Sequence, residues 1–384
     1  MSKQNKYYSF RAYPTADQQI LIGKTFGCCR FLWNQMLADR IAEYKKSGTS
    51  LHNTPAPYKK TFSFLKEVDS IALANVQLNL NTAYNNFFRK PEIGFPKWKC
   101  KHKGKRSYTT NKVGNNIQLF DGYIKLPKLG YLKIRQHRPV PDSWKLKSVT
   151  LKQAKSGKYF VSILFEYEKD IQPVNPGKAI GLDYAMHGDW VDSNGNMPNY
   201  PGYYRIAEER LAREQRKLSR MRKGSSNWCK QKKRVAKISE HAANQRKDFL
   251  NKQSTLITNE YDVVGVEDIN LQGMSQSLNF GKSVSDNGFG MFRNMLKYKL
   301  ADRGKYFVVV DKFFPSSQIC HECGAVWKGT KDLSVREWTC PVCGHHHNRD
   351  ENAALNIRDE AMRLVNLAFS ELSKEKAAPV LATA

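Results

Sequence analysis

A chain of 384 residues is long enough for two or three domains. Its 63 lysines and arginines stand against 35 aspartates and glutamates, a formal net charge of +28 that exceeds what solubility needs and points to a polyanion, nucleic acid before an anionic membrane. No run approaches the ~18 apolar residues of a membrane span, and "MSKQNKYYSF" has no apolar core of signal-peptide length, so the chain reads as cytoplasmic and without a membrane partner.

Residues 5–13 alternate as a strand does, and "PTADQQ" then starts a helix carrying Leu21, Phe26, Cys29, Phe31, Leu32, Met36 and Ile41 at helical spacing. Residues 61–89 read as a further helical pair. The Gly- and Pro-punctuated stretch "KPEIGFPKWKCKHKGKRSYTT" interleaves cations with aromatics, so Lys97, Trp98 and Lys99 are candidate nucleic-acid contacts. Over 117–168 the period changes to that of strands joined by Gly-containing turns, with "KSGKY" as a hairpin turn. The first 170 residues therefore read as a β unit with a helical unit inserted after its first strand, closed by the Pro-containing boundary "KDIQPVNPG".

From 178 onward the pattern is α/β. "KAIGLDYAMHGDWVDSNGNM" reads as two strands around a turn, and 203–223 and 228–259 as two long helices, the second with an inward stripe of Val235, Ile238, Ala242, Phe249 and Leu256. Between Arg205 and Lys252 sixteen basic residues meet five acidic ones, too lopsided for salt-bridge lacing, so Arg213, Arg216, Lys217 and Arg220 are further candidate contacts. "YDVVGVEDINL" is a buried strand, followed by a Gly-rich loop, the helix "FRNMLKYKLADRG" and the strand "YFVVVDKFF". The end, "SKEKAAPVLATA", has no periodicity and reads as a loose tail.

Of eight cysteines, four are scattered, and Cys320, Cys323, Cys340 and Cys343 form C-x2-C-x16-C-x2-C, the spacing of one structural zinc ion in a reducing compartment. A glycine follows the second cysteine of each pair, where such knuckles fold back. With four thiolates filling the site, His345, His346 and His347 are expected to face solvent or nucleic acid.

Two apolar runs end in an acid, "AIGLD" at Asp183 and "VVGVE" at Glu267. A third acid, Asp350, heads the helical stripe Ala354, Ile357, Ala361, Leu364 and Ala368. One reading of Asp350 is a capping acid beside Asn348 and Glu351. The other is a third member of a convergent carboxylate trio, a hard-oxygen site for Mg²⁺, where two ions ~4 Å apart suit phosphodiester hydrolysis. Asp268 is left out because it points to the opposite strand face, and Asp192 reads as a turn residue.

The order "GLD", "VGVED", the cysteine pairs and "RDENAALNI", together with "YSFRAYPTADQQ", "FGCCRFLWNQML", "GFPKWK", "SGKYFVSI" and "FPSSQICHECG", resembles the TnpB family of transposon-encoded nucleases, relatives of the type V CRISPR effectors, up to about residue 368. The resemblance implies a multidomain α/β protein. It has a barrel-like β wedge unit (1–20 and 106–172), a helical recognition insert (21–105), a RuvC-like, RNase H-like nuclease domain (173–315 and 344–370), a zinc ribbon (316–343) and a tail (371–384). It also implies a metal-dependent endonuclease, monomer favoured, guided by a transposon-end RNA to double-stranded DNA beside a short adjacent motif. Asp183, Glu267 and Asp350 would then be the catalytic acids on two Mg²⁺ ions, with pairing supplying most sequence specificity. The chain departs from the family's usual Gly at Ala185 and usual Asp at Asn348, neither of which removes a carboxylate. A compact CRISPR effector and a catalytically silent RNA-guided regulator are the alternatives.

Overall fold

The computed structural model describes residues 2–101, 104–185, 189–277, 281–332 and 334–377. The turn expected around 186–188 and the end of the expected tail, 378–384, lie outside the described residues. The chain forms two compact units, Met1–Asp170 and Ile171–Ala384, dividing inside the boundary "KDIQPVNPG".

In the first unit β1 (Ser2–Tyr13) leads into α1 (Ala16–Ser47). Thr15 caps α1: its hydroxyl accepts from the Gln18 N–H, and the Gln18 side chain accepts from the Thr15 N–H. Next come α2 (Pro55–Thr61), a 3-10 turn (Ser63–Glu67) and α3 (Ser70–Arg89), so the helical pair expected over 61–89 is one short turn and one helix. Six strands complete the unit: β2 (Arg106–Asn111), β3 (Gln118–Phe120), β4 (Tyr123–Leu126), β5 (Gly130–Arg135), β6 (Lys145–Gln153) and β7 (Tyr159–Lys169). They join β1 in one antiparallel sheet of order β2-β6-β7-β1-β5-β4-β3. Among the described residues no ladder joins its edge strands β2 and β3. Phe10, Leu132, Ile134 and Val161 from alternate strand positions meet Leu32, Met36, Leu73 and Leu80 from the helices in one core.

The second unit is built on β8 (Ala179–Ala185), β9 (Asp189–Asp192), β10 (Val263–Glu267) and β11 (Tyr306–Val310). The sheet order is β11-β10-β8-β9, with β8, β10 and β11 parallel and β9 antiparallel to β8. Between β9 and β10 run α4 (Tyr203–Ser219) and α5 (Ser226–Glu260). Between β10 and β11 run α6 (Leu271–Ser277), α7 (Gly281–Asn287) and α8 (Phe289–Ala301). A hairpin of β12 (Glu337–Thr339) and β13 (His346–Asn348) precedes the last helix, α9 (Arg349–Ala377).

Parallel strands are buried on both faces and need cover on both. Ile180, Leu182, Val264 and Val266 pack against Leu250 of α5 and Phe292 and Leu296 of α8. On the opposite face Val263 and Val310 pack against Ile357, Ala361 and Val365 of α9. Two stripes shift from expectation. On α9, Val365 is buried where Leu364 was expected to be and Ala368 is exposed, because a 3.6-residue pitch drifts off a 3-4-3-4 pattern. On α5, Leu250 and Ile257 are buried while Leu256 is 62% exposed. α9 also continues as helix to Ala377, through the start of the segment expected to be a tail.

Candidate active site and cysteine cluster

The β8–β10 ladder pairs Gly181 with Gly265 and Leu182 with Val266, so the following residues, Asp183 and Glu267, sit side by side at the C-terminal ends of adjacent parallel strands. Side chains alternate faces along a strand. Asp183 therefore shares a face with Gly181, and Glu267 with Gly265, the face that α9 covers. Both glycines are needed for that cover. A Cβ on Gly181 would stand 2.0 Å from the Ala354 carbonyl oxygen, and one on Gly265 would stand 2.7 Å from the Ala361 Cβ. The helix backbone lies directly on the strands, and its first turn brings Asp350 near enough for its charge to act on Asp183.

The electrostatics follow. Burial first, then the charges of Glu267 and Asp350, hold the Asp183 carboxyl well above the usual carboxylate range, with Arg349 and the Tyr184 N–H opposing. Burial also raises Glu267, against Arg349 and a 3.5 Å hydrogen bond donated by the Ser316 hydroxyl. Asp350 accepts from Arg336 Nη1 at 3.2 Å. The cap of α9 belongs to Asn348, whose Oδ1 accepts from the N–H groups of Asp350 at 3.1 Å and Glu351 at 3.2 Å. Capping is therefore supplied without the Asp350 side chain. Asp268 stands apart near Arg293, 3.9 Å away, and Asp192 caps its own turn through the Asn194 and Asn196 N–H groups.

Cys320, Cys323, Cys340 and Cys343 bring their sulfurs within 4.8 Å of one another, the one such set of potential metal ligands among the described residues. Two sulfur pairs stand at 3.6 and 3.7 Å, against ~3.8 Å for the edge of a tetrahedron with Zn–S bonds of ~2.3 Å, so the cluster fits zinc. Each pair forms the same knuckle: Gly324 N–H donates to the Cys320 carbonyl and Gly344 N–H to the Cys340 carbonyl, with φ of +74° and +75°. The Cys343 N–H leads the interactions that pull the Cys340 thiol down to about 6.

His347 is not exposed as expected. It is 5% exposed, its ring lies on Trp338, and its Nε2 is 3.0 Å from Cys320 Sγ. Strand alternation turns it inward while His345 and His346 remain outside. The ribbon also extends past residue 343, since β13 pairs with β12 as far as Asn348 opposite Glu337.

Two buried asparagines tie α9 to this ribbon. Asn352 donates to the Ile319 carbonyl at 2.8 Å and accepts from the His321 N–H at 3.0 Å; Asn356 donates to the Ser316 and Ile319 carbonyls at 2.8 and 2.7 Å. With Arg336 and Ser316, they form a set that sequence reading missed. Asn352 and Asn356 lie four apart beside the apolar stripe, the one signal that their amides are buried.

The candidate nucleic-acid residues divide. Arg213, Arg216, Lys217 and Arg220 are all exposed on α4 or at its end. Arg213 and Lys217 lie 3.9 and 3.3 Å from the buried Glu214 of their own helix, and Gln231 and Arg234 of α5 reach the same carboxylate, so these two also help neutralise the acid that joins α4 to α5. In the first unit Trp33 and Asn34 bind the backbone of Lys97 and Lys99, leaving Trp98 57% exposed. Lys99 is turned in: its ammonium sits 3.6 Å from the Trp33 ring centroid, and burial lowers its pKa.

Three family models match the chain: one described as Helix-turn-helix domain over residues 1–49, one as Probable transposase over 162–278, and one as Cas12f1-like, TNB domain over 289–357. The chain belongs to the TnpB family of IS605-type transposon proteins. A protein of Streptomyces pristinaespiralis, provisionally named an RNA-guided DNA endonuclease, is 34% identical over 93% of this chain and 89% of its own. InsQ of Escherichia coli (strain K12), provisionally named in the same way, is 31% identical over 92% of each chain. A solved Cas12f1 chain from a complex with single-guide RNA and target DNA superposes with a TM-score of 0.60 at 12% identity, covering 93% of this chain and 99% of that one, a likeness of fold. Where the helix-turn-helix description applies, the structure has a strand and one long helix, β1 and α1.

Proposed function

We propose that the chain is an RNA-guided DNA endonuclease of a transposable element. It cuts double-stranded target DNA beside a short transposon-adjacent motif, using a guide RNA from the transposon end. The observation that carries the chemistry is the ladder register that sets Asp183 beside Glu267 under the first turn of α9. Burial and the charges of Glu267 and Asp350 raise the pKa of Asp183, and a site that penalises a carboxylate in this way favours cations. Bound Mg²⁺ there would supply activation of a water and stabilisation of the leaving oxygen. The protein's own part is to hold three carboxylates on a rigid strand pair and helix start. Ser316 and Arg336 orient two of them. Pairing of β8, β10 and β11 in parallel, with β9 antiparallel, supports an RNase H-like, RuvC-type reading of the domain.

The cysteine ribbon is read as a structural zinc module, the first unit as wedge plus recognition insert, and the cationic α4–α5 pair as a nucleic-acid contact. The names of the relatives support RNA guidance and DNA cutting. The Cas12f1-like fold suits a compact CRISPR effector equally, and sequencing the RNA that co-purifies distinguishes the two. The test is plasmid cleavage by the co-purified ribonucleoprotein with Mg²⁺. Guide-dependent linearisation that Asp183→Ala abolishes is expected. Guide-directed binding without cutting by the wild-type protein would make the chain a silent regulator instead.

A further inference from the structure

The antiparallel sheet of the first unit gives one face to the helices and leaves the other outward. Directly paired residues share a face. On the outer face Tyr13 and Tyr123 flank Lys133, Tyr131 opposes Lys125, Phe120 opposes Tyr123, and Arg11 opposes Arg135. The alternate residues Ala12, Ile124, Leu132 and Ile134 are buried in the core. Tyr13, Phe120, Tyr123 and Tyr131 are 48%, 43%, 44% and 58% exposed, far more than folding requires of aromatic rings. The rings and cations interleave: Phe120 lies 5.6 Å from Tyr131, Lys125 5.8 Å over Tyr131, and Arg11 5.6 Å over Tyr13.

Charge selects the occupant. These paired positions hold Arg11, Lys125, Lys133 and Arg135 and no carboxylate. Along the paired positions the face turns acidic at the far end of β1, where Asn5 opposes Glu166 and Lys3 opposes Glu168, and the β3–β4 turn beside Phe120 carries Asp121. A cationic surface with flat apolar rings matches a polyanion that also presents flat apolar faces. A duplex hides its base faces; an unpaired strand offers them.

We propose that the outer face of β1, β5, β4 and β3 binds an unpaired stretch of polynucleotide, its bases against Tyr13, Phe120, Tyr123 and Tyr131 and its phosphates on the neighbouring cations. This rests on the nucleic-acid partnership of the function proposed above and not on its cleavage chemistry. RNA and single-stranded DNA share the recognised groups, so both are probed.

The experiment is metal-free fluorescence anisotropy of the full chain with labelled oligouridylate and oligothymidylate of about ten nucleotides. It is paired with photocrosslinking by thiouridine- and thiothymidine-substituted strands. Tyr123→Ala/Tyr131→Ala should weaken binding by about tenfold or more with an unchanged salt slope, because rings are removed and cations kept. Tyr123→Phe/Tyr131→Phe should bind as wild type, and crosslinks should map to β1 and β3–β5. The probe whose binding falls further names the preferred occupant, and equal losses show that the face reads only the groups the two strands share. Equal binding of the Ala pair to both probes, or crosslinks confined to other elements, overturns the proposal. A protein that binds in this way but never cuts DNA refutes the nuclease reading and leaves this one standing.

Discussion

Gly181 and the carbonyl oxygen of Ala354 meet so closely that a single added carbon would lie 2.0 Å from that oxygen. The contact is backbone on backbone, so no side chain can swing aside to relieve it. Gly181→Ala should therefore push α9 off the sheet, with an overpacking cost at or above ~1–3 kcal/mol. Because Asp350 rides on that helix, cleavage should fall further than stability does. Thermal unfolding and plasmid cleavage on the same preparation check this, and an Ala variant that melts and cuts as wild type would remove the argument.

Asp350→Ala and Asn348→Ala separate chemistry from capping within three residues. The Asn348 side chain holds two N–H groups of the helix start, so its loss should cost ~1 kcal/mol with cleavage largely kept. Asp350→Ala should abolish Mg²⁺-dependent cutting and leave guide-directed DNA binding intact. Retention of near wild-type cutting by Asp350→Ala would exclude it from the site.

Stability without metal should carry a pH signature from Asp183. Its folded pKa is raised, so between the ordinary carboxylate range and that raised value the folded state holds the proton more tightly than the unfolded one. Stability from this group is present at acid pH and is lost as pH rises through the folded pKa. Asp183→Asn should melt higher than wild type at neutral pH in EDTA, the gap closing towards pH ~4. Added Mg²⁺ should narrow the neutral-pH gap by stabilising only the wild type. Identical melting curves across that range would count against the cluster.

For the α4–α5 pair, neutralising Arg216 and Arg220 to Gln is the clean variant, because Arg213 and Lys217 also neighbour the buried Glu214. The log–log salt slope of nucleic-acid binding should fall by ~0.7–0.9 for each phosphate that is no longer neutralised. Arg213→Gln with Lys217→Gln should lower both the slope and the melting temperature. An unchanged slope in both pairs would place the nucleic acid elsewhere on the surface.

Cys320→Ser or Cys343→Ser should lower bound zinc and loosen the ribbon. Since Asn352 and Asn356 bind ribbon carbonyls, the same change should raise amide exchange in the first turns of α9. Full zinc content in either variant would show that the cysteine in question is not a ligand.

Much of this candidate site is legible in the sequence. Acids ending two apolar runs, and a third heading an apolar stripe, are periodic features that burial imposes on sequence. The cysteine spacing is equally local, since each knuckle closes within five residues. His347 was misjudged because its burial depends on which register β13 takes against β12, a long-range choice that a run of three histidines does not encode. Leu256 and Leu364 were misplaced by small accumulated drift in helical phase. The asparagine ties were not seen because a polar residue beside an apolar stripe has no local signal for what it will meet. Gly181 and Gly265 lay in quoted motifs, yet only the structure gives them their task, the admission of a helix to bare strand backbone.

Of the three candidate acids the last to be synthesised is Asp350, on the last helix among the described residues. A growing chain holds Asp183 and Glu267 early but has no complete trio until residue 350 and the helix beyond it have left the ribosome. Until then Val263 and Val310 also lack the cover that Ile357, Ala361 and Val365 provide. A product truncated before α9 is thus a protein with two of the three acids and an uncovered sheet face, which should neither cut nor resist proteolysis. On the proposed reading, the order of the three acids along the chain makes synthesis through α9 a condition of cleavage.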